Sequence, residues 1–228
     1  FWSGSKAGWL VALVVGLLAL RRQSIGQTVK WTVAIAVVLA GLTGFFVKFT
    51  PYFRKGATSV SARFGYWKAA LETARAHPIF GTGPGTFSIP YSKIKPPAAE
   101  MARLTHNDFL EQASDSGVPG FLSYSVFVIG GVAALRRRID AAASPLAFGV
   151  WLGLVGWTLQ SFVEFFLFIP ALSWTAFTFL GWLWGLPARR NEIDTRSMLG
   201  SALNTPMAWM VFPRPISSPN STLAGRRA

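Results

Sequence analysis

Five apolar stretches dominate the sequence, at residues 8–20, 31–47, 120–135, 146–163 and 165–186, with basic clusters after the first, third and fifth and one long segment, 48–119, between the second and third. Crossing the hydrocarbon of a bilayer takes about 20 helical residues at 1.5 Å of rise each, so the last two stretches come nearest to that length unaided. The first reaches it only by including residues 1–7, with Trp9 at the interface and Lys6 snorkelling toward water. Charged residues make up only 14% of the chain and hydrophobic ones 51%, with ten Trp and nineteen Phe, whereas a soluble domain carries roughly 25% charge. The pattern predicts an all-α membrane protein of about five transmembrane helices. Its opening residues lack the charged n-region of a signal peptide, and the start at Phe1 is read as a cut within a longer protein.

A net charge of +13 would suggest nucleic acid in a soluble chain, but here the basic residues gather between apolar runs, which argues against a nucleic-acid partner and for membrane lipids. Arg21, Arg22 and Lys30 share one gap, Arg136, Arg137 and Arg138 another, and Arg189, Arg190 and Arg196 follow the last run. Placing all three clusters in the cytoplasm gives five alternating spans without contradiction. Residues 1–47 then form two spans with a short cytoplasmic loop, 48–119 one large extracytoplasmic loop, 120–186 three spans, and 187–228 a largely disordered cytoplasmic tail with an apolar patch at 207–212. The loop carries nine Lys or Arg against five Asp or Glu, which segments longer than about 60 residues tolerate. Lys48, Arg54 and Lys55 go against the rule near a span end.

A loop of this length needs elements of its own. A helix is predicted over 61–76, where Phe64, Trp67, Leu71 and Ala74 recur at helical spacing before His77-Pro78 stops the run. A second helix is predicted to be capped by Thr105 over Asp108 and to stop at Gly117 and Pro119. Between them, Phe80-Gly81-Thr82-Gly83-Pro84-Gly85 reads as a chain reversal. A phosphate cradle is disfavoured because no strand precedes it and Pro84 lacks a donor.

Several side chains in this frame are candidates for chemistry. Arg63 lies one turn before Trp67 on the same helical face, a pairing suited to a phosphate held by a stacked guanidinium, or to a lipid-headgroup anchor. His106 falls in the first turn of the second predicted helix, where the dipole favours a neutral imidazole able to take a hydroxyl proton or contact a phosphate. His77 is explained as a helix-end residue. Asn107 and Asp108 adjoin His106, yet two His and no Cys in the chain supply too few ligands for a metal, and no disulfide or thiolate nucleophile is possible. Glu164, one turn after Gln160, sits at an apolar boundary where a carboxylate is expensive; it is read either as a site residue paired with a loop arginine or as a simple break between helices.

In order and spacing, these residues resemble the O-antigen ligase and polymerase superfamily of bacterial inner membranes, in its C-terminal half. Ser61-Ala-Arg-Phe-Gly-Tyr-Trp67 is similar to the family's Ser-x-Arg with a following Trp, residues 77–87 to its glycine turn, Thr105-His-Asn-Asp-Phe-Leu110 to its His-Asn motif, and Ser161-Phe-Val-Glu-Phe-Phe to its acidic-Phe segment. Two positions depart: Ser5-Lys6-Ala7 stands where Ser-Arg-Gly is usual, so a point charge replaces a bidentate fork, and Glu164 replaces the commoner Asp.

The resemblance implies a cofactor-free, metal-independent glycosyltransferase with its loop in the periplasm. It would move a glycan from an undecaprenyl diphosphate carrier to an acceptor hydroxyl on a glycan, lipid or protein. His106 and Arg63 would be catalytic, with Lys6, Arg63, Trp67, Asn107 and Glu164 binding diphosphate or acceptor, and His106 acting as base or as diphosphate contact. Polysaccharide polymerisation and protein O-glycosylation are alternatives within the superfamily, and carriage of a solute or inorganic carbon is the alternative of another class.

Overall fold

In a computed structural model, which describes residues 5–142 and 144–186, every regular element is helical. Helix α1 (Lys6–Arg21) is capped by the Ser5 hydroxyl, which accepts the Gly8 N–H at 3.0 Å, and α2 (Gln27–Arg54) follows a short turn. After α3 (Thr58–Ala76) and α4 (Ser88–Ile94), α5 (Asp108–Ser125) runs through a π-helical turn, Val126–Gly130, into α6 (Gly131–Ala142). Helices α7 (Pro145–Gln160) and α8 (Pro170–Gly185) complete the described chain. The tail expected at 187–228, its patch at 207–212 and residues 1–4 of the first stretch lie outside the described residues.

Two helical runs are long and apolar enough to cross a membrane, Gln27–Arg54 and Asp108–Ile139. The other three predicted spans are helices of 16 residues each, or ~24 Å against a hydrocarbon core of ~30 Å. The fifth stretch becomes helical later than expected. Residues 161–169 form a connector with one 3-10 turn, Phe166–Phe168, and α8 starts at Pro170, which suits a first helical position.

Apolar side chains of α2 point outward: Trp31, Leu39 and Phe46 are 61%, 62% and 60% exposed. Leaving such side chains in water forgoes about 1.5–3 kcal/mol apiece, so this surface suits a hydrocarbon surround. The larger buried core lies elsewhere, where Leu135 and Ile139 of α6 meet Trp151 and Leu154 of α7 and Leu180 and Leu183 of α8. The Trp151 indole N–H donates to the Val132 carbonyl at 2.8 Å, which keeps its one polar atom satisfied inside that core.

The segment between the two long runs has a small core of its own. Tyr66, Ala69 and Ala70 of α3 pack with Phe87, Tyr91 and Ala102. The buried face of α3 is shifted from the expected stripe: Ala74 is buried and Trp67 packs on this core as that stripe requires, but Phe64 and Leu71 are 60% and 43% exposed, and Tyr66, Ala69, Ala70 and Thr73 face inward instead. Small alanines permit a close approach to α5 that the bulkier stripe would block.

Gly117 and Pro119 kink α5 instead of ending it. Gly117 adopts φ 68° and the helix resumes beyond it. Pro119 has no N–H to give Asp115, and the Val118 N–H turns away to the Pro78 carbonyl at 2.7 Å, so two carbonyls of α5 lose their helical donors. The glycine turn replaces them. Thr82 N–H donates to Ser114 O at 3.0 Å and Gly83 N–H to Asp115 O at 2.9 Å, while Gly85 N–H reaches the Asp115 carboxylate at 2.6 Å. This clasp explains the glycine at position 81, where a Cβ would lie 2.3 Å from the Asp115 backbone.

Candidate active site

Three side chains from distant parts of the chain meet where α3, the start of α5 and the 161–169 connector come together. Arg63 Nη2 donates to Glu164 Oε1 at 2.6 Å, and His106 Nδ1 lies 3.4 Å from Glu164 Oε2. One carboxylate thus uses both oxygens, one on a guanidinium and one on an imidazole. The arginine partner expected for Glu164 is present. Burial raises the Glu164 carboxyl, but the His106 hydrogen bond and the Arg63 charge outweigh it and hold the group below its ordinary value.

The local fold aims His106 by an unexpected route. Thr105 is not the helix cap; Asn107 is, its Oδ1 accepting the Phe109 and Leu110 N–H groups at 3.0 Å each. His106 therefore precedes the helix and takes φ 54°, a left-handed conformation uncommon outside glycine. Thr105 is fully buried and holds the approach: its hydroxyl donates to Asn107 O at 2.8 Å, and its N–H donates to Glu111 Oε2 at 2.6 Å. Asp108 holds the other side, donating its N–H to Ser161 O at 2.9 Å and accepting the Leu167 N–H at 3.0 Å, which ties the connector carrying Glu164 to α5.

These contacts consume the amides at the start of α5. With Glu111 N–H on Asn107 O, the first four are all engaged, so none of them is free to hold an anion at this helix end. The imidazole is instead fixed by rings. Tyr66 stacks on it at 5.9 Å between centroids with 25° between planes, and Phe165 meets it edge-on at 4.7 Å and 79°. A hydrogen on Nδ1 directed at Glu164 leaves Nε2 as the proton acceptor.

The remaining sequence candidates stand apart from this trio. Trp67 packs against the small core and meets Phe64 edge-on at 5.4 Å, and no stacking on Arg63 occurs among the described residues; the carboxylate of Glu164 orients the guanidinium instead. Asn107 spends its side-chain oxygen on capping. Lys6 Nζ lies 3.7 Å from the Tyr52 ring centroid, and the Tyr52 hydroxyl shares a 2.6 Å hydrogen bond with Ser59. Ser59 lines a cleft of about 540 Å³ together with Ser61, Arg63, Tyr66, Tyr91 and His106, so Lys6 connects to this cleft through Tyr52 and Ser59 without lining it. His77 closes α3, its N–H donating to Thr73 O at 2.9 Å, and takes no part in the trio. Among the described residues no three His, Asp or Glu side chains cluster as metal ligands do.

Sequence reasoning missed Tyr66, Phe165, Glu111 and the tethering role of Asp108. Tyr66 had a signal, lying three residues after Arg63 on one helical face. The other three depend on contacts between segments far apart in the chain.

No curated protein gives a significant match to this sequence. The sequence model of the family described as O-antigen ligase matches residues 1–125, which include Arg63 and His106 and amount to more than half of the chain. The chain belongs to the O-antigen ligase family.

Proposed function

We propose that the protein is a multi-pass glycosyltransferase of a bacterial inner membrane, transferring a glycan from an undecaprenyl diphosphate carrier to an acceptor hydroxyl on the periplasmic side. The observation that carries this reading is the shared carboxylate of Glu164, which joins a guanidinium and an imidazole at one cleft. In the proposed step the acceptor hydroxyl gives its proton to His106 Nε2 as its oxygen bonds the anomeric carbon. The bond from that carbon to the diphosphate oxygen breaks, and the electron pair leaves with the lipid diphosphate. Glu164 keeps His106 in the required tautomer and stabilises the imidazolium that forms. Arg63 engages Glu164 through Nη2, and its other donors are suited to the leaving diphosphate, the charge a metal would otherwise have to offset.

The same reading places five spans at α1, α2, the run from 120 to 139, α7 and α8, with 48–119 in the periplasm and 187–228 in the cytoplasm. The short helices α1, α7 and α8 then draw on flanking residues or local thinning of the bilayer. Arg63 lies on α3 in the segment between the two long apolar runs, His106 precedes α5 and Glu164 sits in the 161–169 connector, so none of the trio falls in the middle of a proposed span, which favours surface chemistry over transport.

The test uses the full-length protein. Arg63→Ala and His106→Ala are each expected to abolish glycan transfer while membrane expression persists. Normal transfer by both variants would remove the basis of the mechanism.

A further inference from the structure

His106 borders two clefts. Arg63 lines one of about 540 Å³, and Arg103 lines the other, of about 420 Å³, with Gly85, Leu104 and Phe165. Displacement at an anomeric carbon places the entering and leaving oxygens on opposite sides of that carbon, so acceptor and diphosphate need separate approaches to one reacting centre. The His106 imidazole borders both clefts, with one arginine in each, and so offers two separate approaches to one side chain.

The two arginines differ in their partners. Arg63 is neutralised by Glu164. Arg103 is exposed, and its side chain has no hydrogen bond, carboxylate or ring partner among the described residues. A free guanidinium presents five donors in a planar fork that matches phosphate or carboxylate, and here it stands beside an apolar wall of Leu104 and Phe165. Resting on the reading of His106 as the base, we infer that the Arg103 cleft is the acceptor subsite and that it selects a sugar carrying an anionic group near its reacting hydroxyl.

The test measures binding of N-acetylglucosamine 6-phosphate and of N-acetylglucosamine to the full-length protein in phosphatidylcholine nanodiscs, which contain no anionic headgroup. A charge-assisted contact predicts roughly tenfold or tighter binding of the phosphorylated probe. Arg103→Gln is expected to erase that preference, Arg103→Lys to keep part of it, and Arg63→Ala to leave it intact. An unchanged preference in Arg103→Gln, its loss in Arg63→Ala, equal binding of the two probes, or an Arg103 effect that appears only after phosphatidylglycerol is added would each overturn the assignment. His106→Ala is expected to stop transfer yet still bind the phosphorylated probe. Full transfer by that variant removes the base while leaving the binding result readable by itself.

Discussion

Gly81 and Gly85 offer a matched pair of substitutions, because they share a left-handed backbone and differ in what surrounds them. At Gly81, φ is 63° and an added Cβ would lie 2.3 Å from Asp115 C and 2.5 Å from both Asp115 O and Ser114 O. Gly85 has φ 70° with nothing within 4 Å of the corresponding position. The left-handed conformation alone costs an alanine about 1–2 kcal/mol, and that is the whole effect expected of Gly85→Ala. Gly81→Ala must also push the turn off α5, taking the Thr82 and Gly83 N–H groups from two carbonyls that the kink has already deprived of helical donors. Each unsatisfied buried carbonyl costs about 1–3 kcal/mol, so Gly81→Ala should destabilise by about 3–8 kcal/mol in all. Thermal unfolding of the full-length protein in nanodiscs, followed by tryptophan fluorescence, separates the two. At roughly 2–4 °C per kcal/mol, the difference is at least several degrees. Equal shifts for the two variants would show that the clasp does not support the kink.

Other outcomes follow from the same contacts. Asn107→Ala should cost about 1 kcal/mol of stability by loss of the cap, whereas Asn107→Asp should retain it because only an acceptor oxygen is used, and melting temperatures of both variants check this. Glu164→Gln keeps the shape of the side chain but loses the charge shared by Arg63 and His106; glycan transfer by this variant should fall by about 10²-fold or more, the scale typical of losing an acid–base component, in a single-turnover assay. Because the folded state holds the Glu164 carboxyl below its ordinary 4.5, its stabilisation is complete above that value and disappears as pH falls through the depressed one. The stability gap between the protein and Glu164→Gln should therefore be constant near neutrality and close only in acid. The chain contains no cysteine, so a cysteine placed at exposed Ser92 should react with an impermeant thiol reagent in intact spheroplasts, and one at Gln23 only after lysis; the reverse pattern would invert the proposed topology.

How much of this was legible in the sequence depends on how far each contact reaches along the chain. The apolar stretches, the helix halted at His77-Pro78 and the need of Glu164 for a cationic partner follow from local pattern and from the cost of a carboxylate at an apolar boundary. The cap did not, because Thr105 and Asn107 are both good N-cap residues two positions apart. The choice falls to Glu111, which draws the Thr105 N–H into the buried segment and leaves Asn107 at the helix edge. Nor was the kink legible: Gly117 followed by Pro119 ends most helices, and this one continues because the turn at 82–85 supplies donors from 30 or more residues away. The imidazole follows from the cap. Shifting the cap to Asn107 puts His106 outside the helix in a left-handed turn, which takes it from the helix dipole and sets it against Tyr66, Phe165 and Glu164. A side chain that local rules assign to a helix end thus becomes part of a carboxylate-centred trio, because the tether from Asp108 to the 161–167 segment brings Glu164 beside it.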